Sequence, residues 1–166
     1  MNSIKQLLML SAKQRSLCKR LEAGRSRLYR MAYAWSHNSA AAEDVVQETM
    51  IKALNSVDTV KNIDALDGWL FCILSNCFID YCRKQREEVI IDETKLVEQK
   101  TPEAVHSQNA MLAEVRSAIA SLPFKHRQVL TLIDIENFSY SEVAEIVDVP
   151  LGTIMSRLNR ARQSLK

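Results

Sequence analysis

The sequence predicts an all-α protein made of two small helical units joined by an acidic linker. Three observations predict it. The 166 residues include only 3 Gly and 3 Pro, while Ala, Leu, Ile, Glu, Lys and Arg, which suit helices, dominate. Apolar residues recur at helical spacing in one segment after another. Charge is segregated: residues 1–86 carry 13 Lys/Arg against 8 Asp/Glu, residues 87–107 carry 2 against 6, and residues 108–166 carry 7 against 6. From Leu151 onward every charge is basic. A net charge of +2 therefore conceals two basic blocks around an acidic strip, which suits a protein that meets a polyanion in two places. The expected division is an N-terminal unit over 1–86, a linker over 87–107 and a C-terminal unit over 108–166.

Taken in order, residues 1–19 read as a short basic amphipathic helix or a loose arm. A helix from about Leu21 to Ser36 places Leu28, Met31, Ala32 and Trp35 on one face, with Arg25, Arg27 and Arg30 around it. Asn38-Ser39 breaks it, and Ser39 is suited to cap the next helix, about Ala40 to Asn55. Val45, Val46, Thr49, Met50 and Leu54 are its packing positions, and Glu43, Asp44, Gln47 and Glu48 form a polar, mostly acidic surface. Ser56 to Ile63 has no period and reads as a loop. Asp64 and Asp67 then start a long helix to about Arg86. Its stripe of Leu66, Trp69, Leu70, Ile73, Leu74, Cys77, Phe78 and Tyr81 alternates steps of three and one, the spacing of a buried helical face. The opposite side carries Cys72, Asn76, Ile79, Asp80 and Arg83. Periodicity is lost over 87–107, where Pro102 sits among acids and Val89, Ile90 and Ile91 offer places to dock. It resumes from Asn109 to Ser121 and again from Phe124 to about Ile135.

The C-terminal stretch is the most specific. Ser139 with Glu142 three residues on forms a capping box, and Val143, Ala144 and Val147 give that helix its apolar face. Ala144 is small where a second helix must cross closely. Asp148 supplies the bend, because Asp tolerates left-handed geometry. Pro150 opens a last helix, where its missing N–H costs nothing. Ile154 and Leu158 face inward; Arg157, Arg160 and Arg162 point elsewhere. A helix apolar on one side and purely basic on the other, following a tight turn, is a helix-turn-helix suited to the DNA major groove.

Other functions are disfavoured. The longest apolar run near Trp69 is six residues, far short of a membrane span, and the N-terminus lacks a signal-peptide pattern, so the expected location is the cytoplasm with no membrane insertion. Cys72, Cys77 and Cys82 are five apart, so successive thiols rotate by about 140° around a helix. With no C-x-x-C pair and with His37, His106 and His126 scattered, no metal and no other cofactor is expected. There is no nucleophile elbow, phosphate-binding glycine loop or carboxylate pair in a plausible cleft, and no enzyme is expected.

Two blocks resemble a known family. Leu28-Tyr-Arg-Met-Ala-Tyr, Ala42-Glu-Asp-Val-Val-Gln-Glu-Thr and Gly68-Trp-Leu-Phe-Cys-Ile-Leu-Ser-Asn-Cys-Phe-Ile-Asp-Tyr-Cys-Arg-Lys look like the second conserved region of bacterial sigma factors. Ser121-Leu-Pro-Phe-Lys-His-Arg-Gln-Val-Leu through Arg162 looks like the fourth. The short linker, with no third region, resembles the small extracytoplasmic function group. The resemblance spans roughly Leu21 to Lys166, with both signatures in the family's order. It implies that Glu43, Asp44, Gln47 and Glu48 grip core RNA polymerase, and that Asn76, Asp80, Arg83 and Lys84 meet the promoter −10 element. Arg83, Lys84 and Arg86 supply cations for phosphates; Asn76 and the Ser56–Ile63 loop are candidates for an unstacked base. That loop holds no aromatic residue, so the expectation is a pocket that works by hydrogen bonds and shape. Thr153, Ser156, Arg157, Arg160 and Arg162 match the −35 reader. Met155 stands where the family has Lys or Arg, and can touch a thymine methyl instead. The resemblance also implies an anti-sigma factor as partner. Two alternatives are a decoy that sequesters an anti-sigma factor, for whose usual receiver domain the 166 residues have no room, and a simple helix-turn-helix repressor.

Overall fold

The structure, a computed structural model, describes residues 12–56, 59–60, 62, 64–91 and 110–166. Seven α-helices stand among the described residues: α1 Ala12–Ser36, α2 Ser39–Asn55, α3 Leu66–Ile91, α4 Ala110–Ser121, α5 Phe124–Leu130, α6 Tyr140–Val147 and α7 Leu151–Ser164. A π-helical turn, Thr131–Ile135, continues α5. Residues 1–11, four positions of the expected 56–63 loop, 92–107 of the expected linker, and 108–109 lie outside the described residues.

Helix α1 begins earlier than the apolar pattern suggests, because 12–20 extend the same helix. It ends at His37, whose φ of 52° is left-handed and whose N–H still donates to the Tyr33 carbonyl at 2.8 Å. The cap of α2 is Asn38, one residue before the expected Ser39. Asn38 is extended (φ −137°, ψ 123°) and its Oδ1 accepts from the Ala41 N–H at 3.0 Å, whereas Ser39 is already helical. Ala41, Ala42, Val45, Val46, Thr49 and Ala53 form the buried face of α2. Leu54, expected to pack, is 46% exposed.

Helix α3 runs to Ile91, five residues past the expected linker boundary. Leu66, Leu70, Leu74, Cys77 and Phe78 of its stripe are buried, while Trp69, Ile73 and Tyr81 pack against the core half-buried. Phe71 and Ser75 are also buried, although both fall outside the stripe. The reason is that α3 is covered on a second side.

That second cover is the C-terminal unit. The buried apolar residues of the two units form one continuous cluster. Trp35 of α1 stacks edge-on against Phe78 (5.5 Å between centroids) and Phe124 of α5 (6.0 Å), and Phe71 meets Phe138 at 5.0 Å. Such aromatic pairs contribute about 0.5–1.5 kcal/mol each beyond the area they bury. Two pairs of polar groups caught between the units bond each other. Trp35 Nε1 donates to Thr131 Oγ1 at 2.9 Å, and Gln128 Nε2 donates to Ser75 Oγ at 2.8 Å. At the rim, the Arg27 guanidinium lies over the Phe71 and Phe138 rings and bonds Asp67 (2.6 Å) and Glu136. Burial alone would lower the Arg27 pKa, but these two carboxylates outweigh it and raise it.

The π turn makes this rim possible. Its last bonds, Glu136 N–H to Thr131 O (3.1 Å) and Phe138 N–H to Leu132 O (3.1 Å), reach back five and six residues. Bulges of this kind re-aim the residues that follow them. Here Glu136 and Phe138 both reach Arg27.

Candidate nucleic-acid interface

In the C-terminal unit the capping box forms as the sequence predicts. The Glu142 N–H donates to Ser139 Oγ at 3.3 Å, and the Glu142 carboxylate accepts from the Ser139 N–H (2.7 Å) and hydroxyl (2.6 Å). These bonds hold the Glu142 carboxyl below its ordinary pKa. Asp148 is left-handed (φ 53°, ψ 55°), and the Val149 N–H turns back to the Ala144 carbonyl at 3.1 Å. Pro150 sits at the N-cap of α7, where its carbonyl accepts from the Thr153 N–H at 2.9 Å. Val143 and Ile146 of α6 pack with Ile154, Leu158 and Ala161 of α7 in the buried core.

This seating sets the outer surface of α7. Thr153, Ser156, Arg157 and Arg160 follow i, i+3, i+4, i+7 spacing and so share one stripe. Ser156 and Arg160 are exposed, and Thr153 and Arg157 are partly so. Met155, 53% exposed, shares another flank with Asn159 and Arg162. Arg162 is not free among the expected DNA contacts. It pairs with Asp134 of the π turn at 2.6 Å, and that hydrogen bond raises its pKa.

In the N-terminal unit Asn76, Arg83, Lys84 and Arg86 are exposed on α3, with Asp80 partly so. Asp80 is bonded to Arg83 (3.0 Å) and lies 3.8 Å from Lys52 of α2. Asn76 opens onto a cavity of about 480 Å³ lined also by Lys52, Asn55, Ser56, Thr59, Trp69 and Ile73. The Ser56–Ile63 loop itself holds no aromatic residue. The ring comes from Trp69 on α3, at the edge of the apolar stripe. A flat apolar wall facing several amide, hydroxyl and ammonium groups is the combination that holds a single unstacked base. Lys52 keeps its proton more firmly than usual because its ammonium bonds Glu48 at 2.9 Å.

The outer face of α2 presents Glu43, Asp44 and Gln47 to solvent, with Glu48 half-covered by its bond to Lys52. Ile51 (52% exposed) and Leu54 continue the same stripe from Gln47 at i+4 and i+7. The surface is therefore acidic and amide at one end and apolar at the other. Sequence reasoning missed the apolar end by assigning Leu54 to the core; the spacing from Gln47 was the available signal.

Among the described residues no group of three His, Cys, Asp or Glu is placed to hold a metal ion, and no helix is long and apolar enough to cross a membrane. Cys18, Cys72, Cys77 and Cys82 are all free thiols.

A helical unit bearing this cavity, packed on a helix-turn-helix unit, defines the class structurally. Residues 21–88 match the family model of sigma-70 region 2, and residues 112–165 match that of sigma-70 region 4. Among curated proteins, the chain is 37% identical over 145 residues to the ECF RNA polymerase sigma factor SigE of Mycolicibacterium smegmatis, covering 84% of this chain and 56% of that protein. It is 39% identical over 136 residues to the ECF RNA polymerase sigma factor EcfG of Rhodopseudomonas palustris, covering 81% and 74%. The chain thus spans little more than half of SigE. Among solved structures, the sigma factor RpoE bound to the anti-sigma factor NepR, from Bartonella quintana, superposes with a TM-score of 0.78 at 31% identity, covering 89% of this chain and 92% of that one. CnrH bound to the cytosolic domain of CnrY shares the fold, with a TM-score of 0.64 at 22% identity over 93% and 87% of the two chains. The chain belongs to the extracytoplasmic function group of the sigma-70 family.

Proposed function

We propose that this chain is a sigma subunit that binds core RNA polymerase and directs it to promoters. In this reading the N-terminal unit docks on the polymerase through Glu43, Asp44 and Gln47, with Glu48 behind them and Ile51 and Leu54 extending the contact. Asn76, Arg83 and Lys84, with the Trp69 cavity, take the −10 strand as it opens, and Asp80 keeps Lys52 and Arg83 in position. Thr153, Ser156, Arg157 and Arg160 take the −35 element. The observation that carries the reading is that one chain holds both an exposed helix-turn-helix stripe and, on a different helix, a cavity with a ring wall and a cationic rim. A repressor has no use for the second. RNA synthesis itself belongs to the polymerase. An anti-sigma partner is part of the proposal, supported by the Bartonella quintana complex.

The packed arrangement is then a resting form. A compact chain of 166 residues has a radius of gyration near 15 Å, hence a diameter of about 40 Å. Elements centred at −35 and −10 lie about 25 base pairs, or about 85 Å, apart along straight duplex. One packed core cannot touch both, so the units must part on the promoter. Co-purification with core polymerase followed by run-off transcription from selected promoters tests the function. Duplex binding that needs no polymerase, with no transcript, would replace it with the repressor reading.

A further inference from the structure

Where α1 ends against the C-terminal unit, the seam holds two nitrogen atoms in an unusual state. His37 Nε2 and Arg127 Nε are both buried and neither has a hydrogen-bond partner. His37 stands on the left-handed residue that terminates α1, two positions beyond Trp35, which packs on Phe124 of α5. Arg127 is the last basic residue of that same α5. We infer that this seam is acid-labile: taking up a proton at His37, beside Arg127, drives the C-terminal unit off the N-terminal one.

The described groups that act on the pair come from three helices. From α1 itself comes Tyr33, whose ring meets His37 edge-on at 6.5 Å. From α5 comes Arg127, the charge that acts on His37. From α3 come Cys82, within electrostatic reach of Arg127, and Arg86, which acts on Cys82. No described carboxylate forms an ion pair with His37 or Arg127, in contrast to Arg27, whose two carboxylates sit at the other end of the seam. A neutral imidazole tolerates this setting. An imidazolium would set a second half-buried cation beside Arg127, with its Nε2 proton lacking an acceptor, which is costly.

The sign follows. Burial first, and the Arg127 charge second, push the His37 pKa below its ordinary value. Once the units part, both influences end and the pKa returns toward about 6.5. The closed form therefore binds fewer protons than the open one. Its stability is fully present above about pH 6.5 and is lost as the pH falls through the lowered value. The effect lies in the seam itself, whatever the open form binds.

The test is small-angle scattering of the full chain between pH 8 and pH 5, with circular dichroism to follow helix content. The wild type is expected to be compact at pH 8 and to gain about a quarter in radius of gyration by pH 5 with its helices kept. His37→Asn tolerates the left-handed backbone and takes up no proton, so it should stay compact throughout. His126→Asn should behave as the wild type. A wild type of constant size, or a His37→Asn protein that expands at the wild-type midpoint, overturns the inference. Should His37→Asn fail to fold, a nuclear magnetic resonance titration of the wild-type imidazole decides. A midpoint below 6.5 supports the inference, and one at or above 6.5 refutes it.

Discussion

Thr131→Val isolates the packing of the two units. Thr131 opens the π turn and is fully buried. Its Oγ1 accepts from Trp35 Nε1 at 2.9 Å and faces the Arg127 and Gln128 carbonyls at 2.9 and 3.0 Å. Valine keeps nearly the same shape, so little cavity forms. It cannot accept, so the indole N–H is left buried and unpaired, a penalty of about 1–3 kcal/mol. The bond crosses the seam, and once the units part water can reach the indole. The penalty therefore falls on the closed form alone and raises the open population about 5- to 150-fold. Native-state amide exchange reads this directly: amides of α5 and the π turn that exchange through parting of the units should speed up by that factor. Thr49→Val is the control. Its hydroxyl bonds Val45 O at 2.7 Å inside the N-terminal unit, so seam amides should keep wild-type rates. If Thr131→Val left seam exchange unchanged, the indole bond would not hold the units together, and the shared core would be wrong.

The proposed binding surfaces give three further tests. Asp44→Ala with Gln47→Ala changes exposed positions, so stability should move by less than about 0.5 kcal/mol while affinity for core polymerase drops; unchanged affinity removes the α2 assignment. Asn76→Ala should spare closed-complex binding but abolish permanganate reactivity of promoter thymines, with rescue on a pre-melted bubble; equal loss on both templates would refute a role in strand opening. Arg160→Ala should weaken duplex binding and lower its salt slope by about 0.9, the value of one phosphate contact, whereas Arg162→Ala should lower it less because Arg162 is held by Asp134. A reversed order would move the groove contact to the Met155 flank.

What was legible in the sequence was what local periodicity and local capping decide. The Ser139–Glu142 box, the left-handed Asp148 and the inward Ile154 and Leu158 depend on neighbours within a few residues. The structure brings all of them out in place. What stayed hidden depends on surfaces that meet from far along the chain. Ser75 and Gln128 look like surface polar residues until they are found bonded to each other across 53 positions. Phe71 breaks the alternating stripe of α3 because it serves a different partner, Phe138. Trp69 was read as core because its spacing fits the stripe, yet it is half-exposed and lines the cavity. Leu54 failed in the same way in the opposite direction. A hydrophobic residue at the edge of a stripe has two possible uses, and periodicity does not separate them. The π turn left no mark, since an extra residue in a helical turn changes where the next side chains aim and not which residues they are.

The chemistry of the seam bears on how it can open. The described buried polar residues are Thr49, Ser75, Gln128 and Thr131, and three of these four lie where the units meet. An obligate interface is mostly apolar, because each buried polar pair gains only about 0.5–1.5 kcal/mol net over its bonds to water. The Ser75–Gln128 and Trp35–Thr131 pairs therefore cost little to exchange for water. The rings of Trp35, Phe71, Phe78, Phe124 and Phe138 are different: exposing them forfeits about 25 cal/mol for each Å² of apolar surface uncovered. Parting the units is therefore cheap in hydrogen bonds and expensive in aromatic surface. At neutral pH an open chain is stable only where those rings are covered, which is a task for a protein surface and not for DNA. In the proposed reading that surface is the polymerase. Promoter phosphates and bases engage α7 and α3 only after the aromatic cost has been met elsewhere, which orders the events: enzyme first, duplex second, strand opening last.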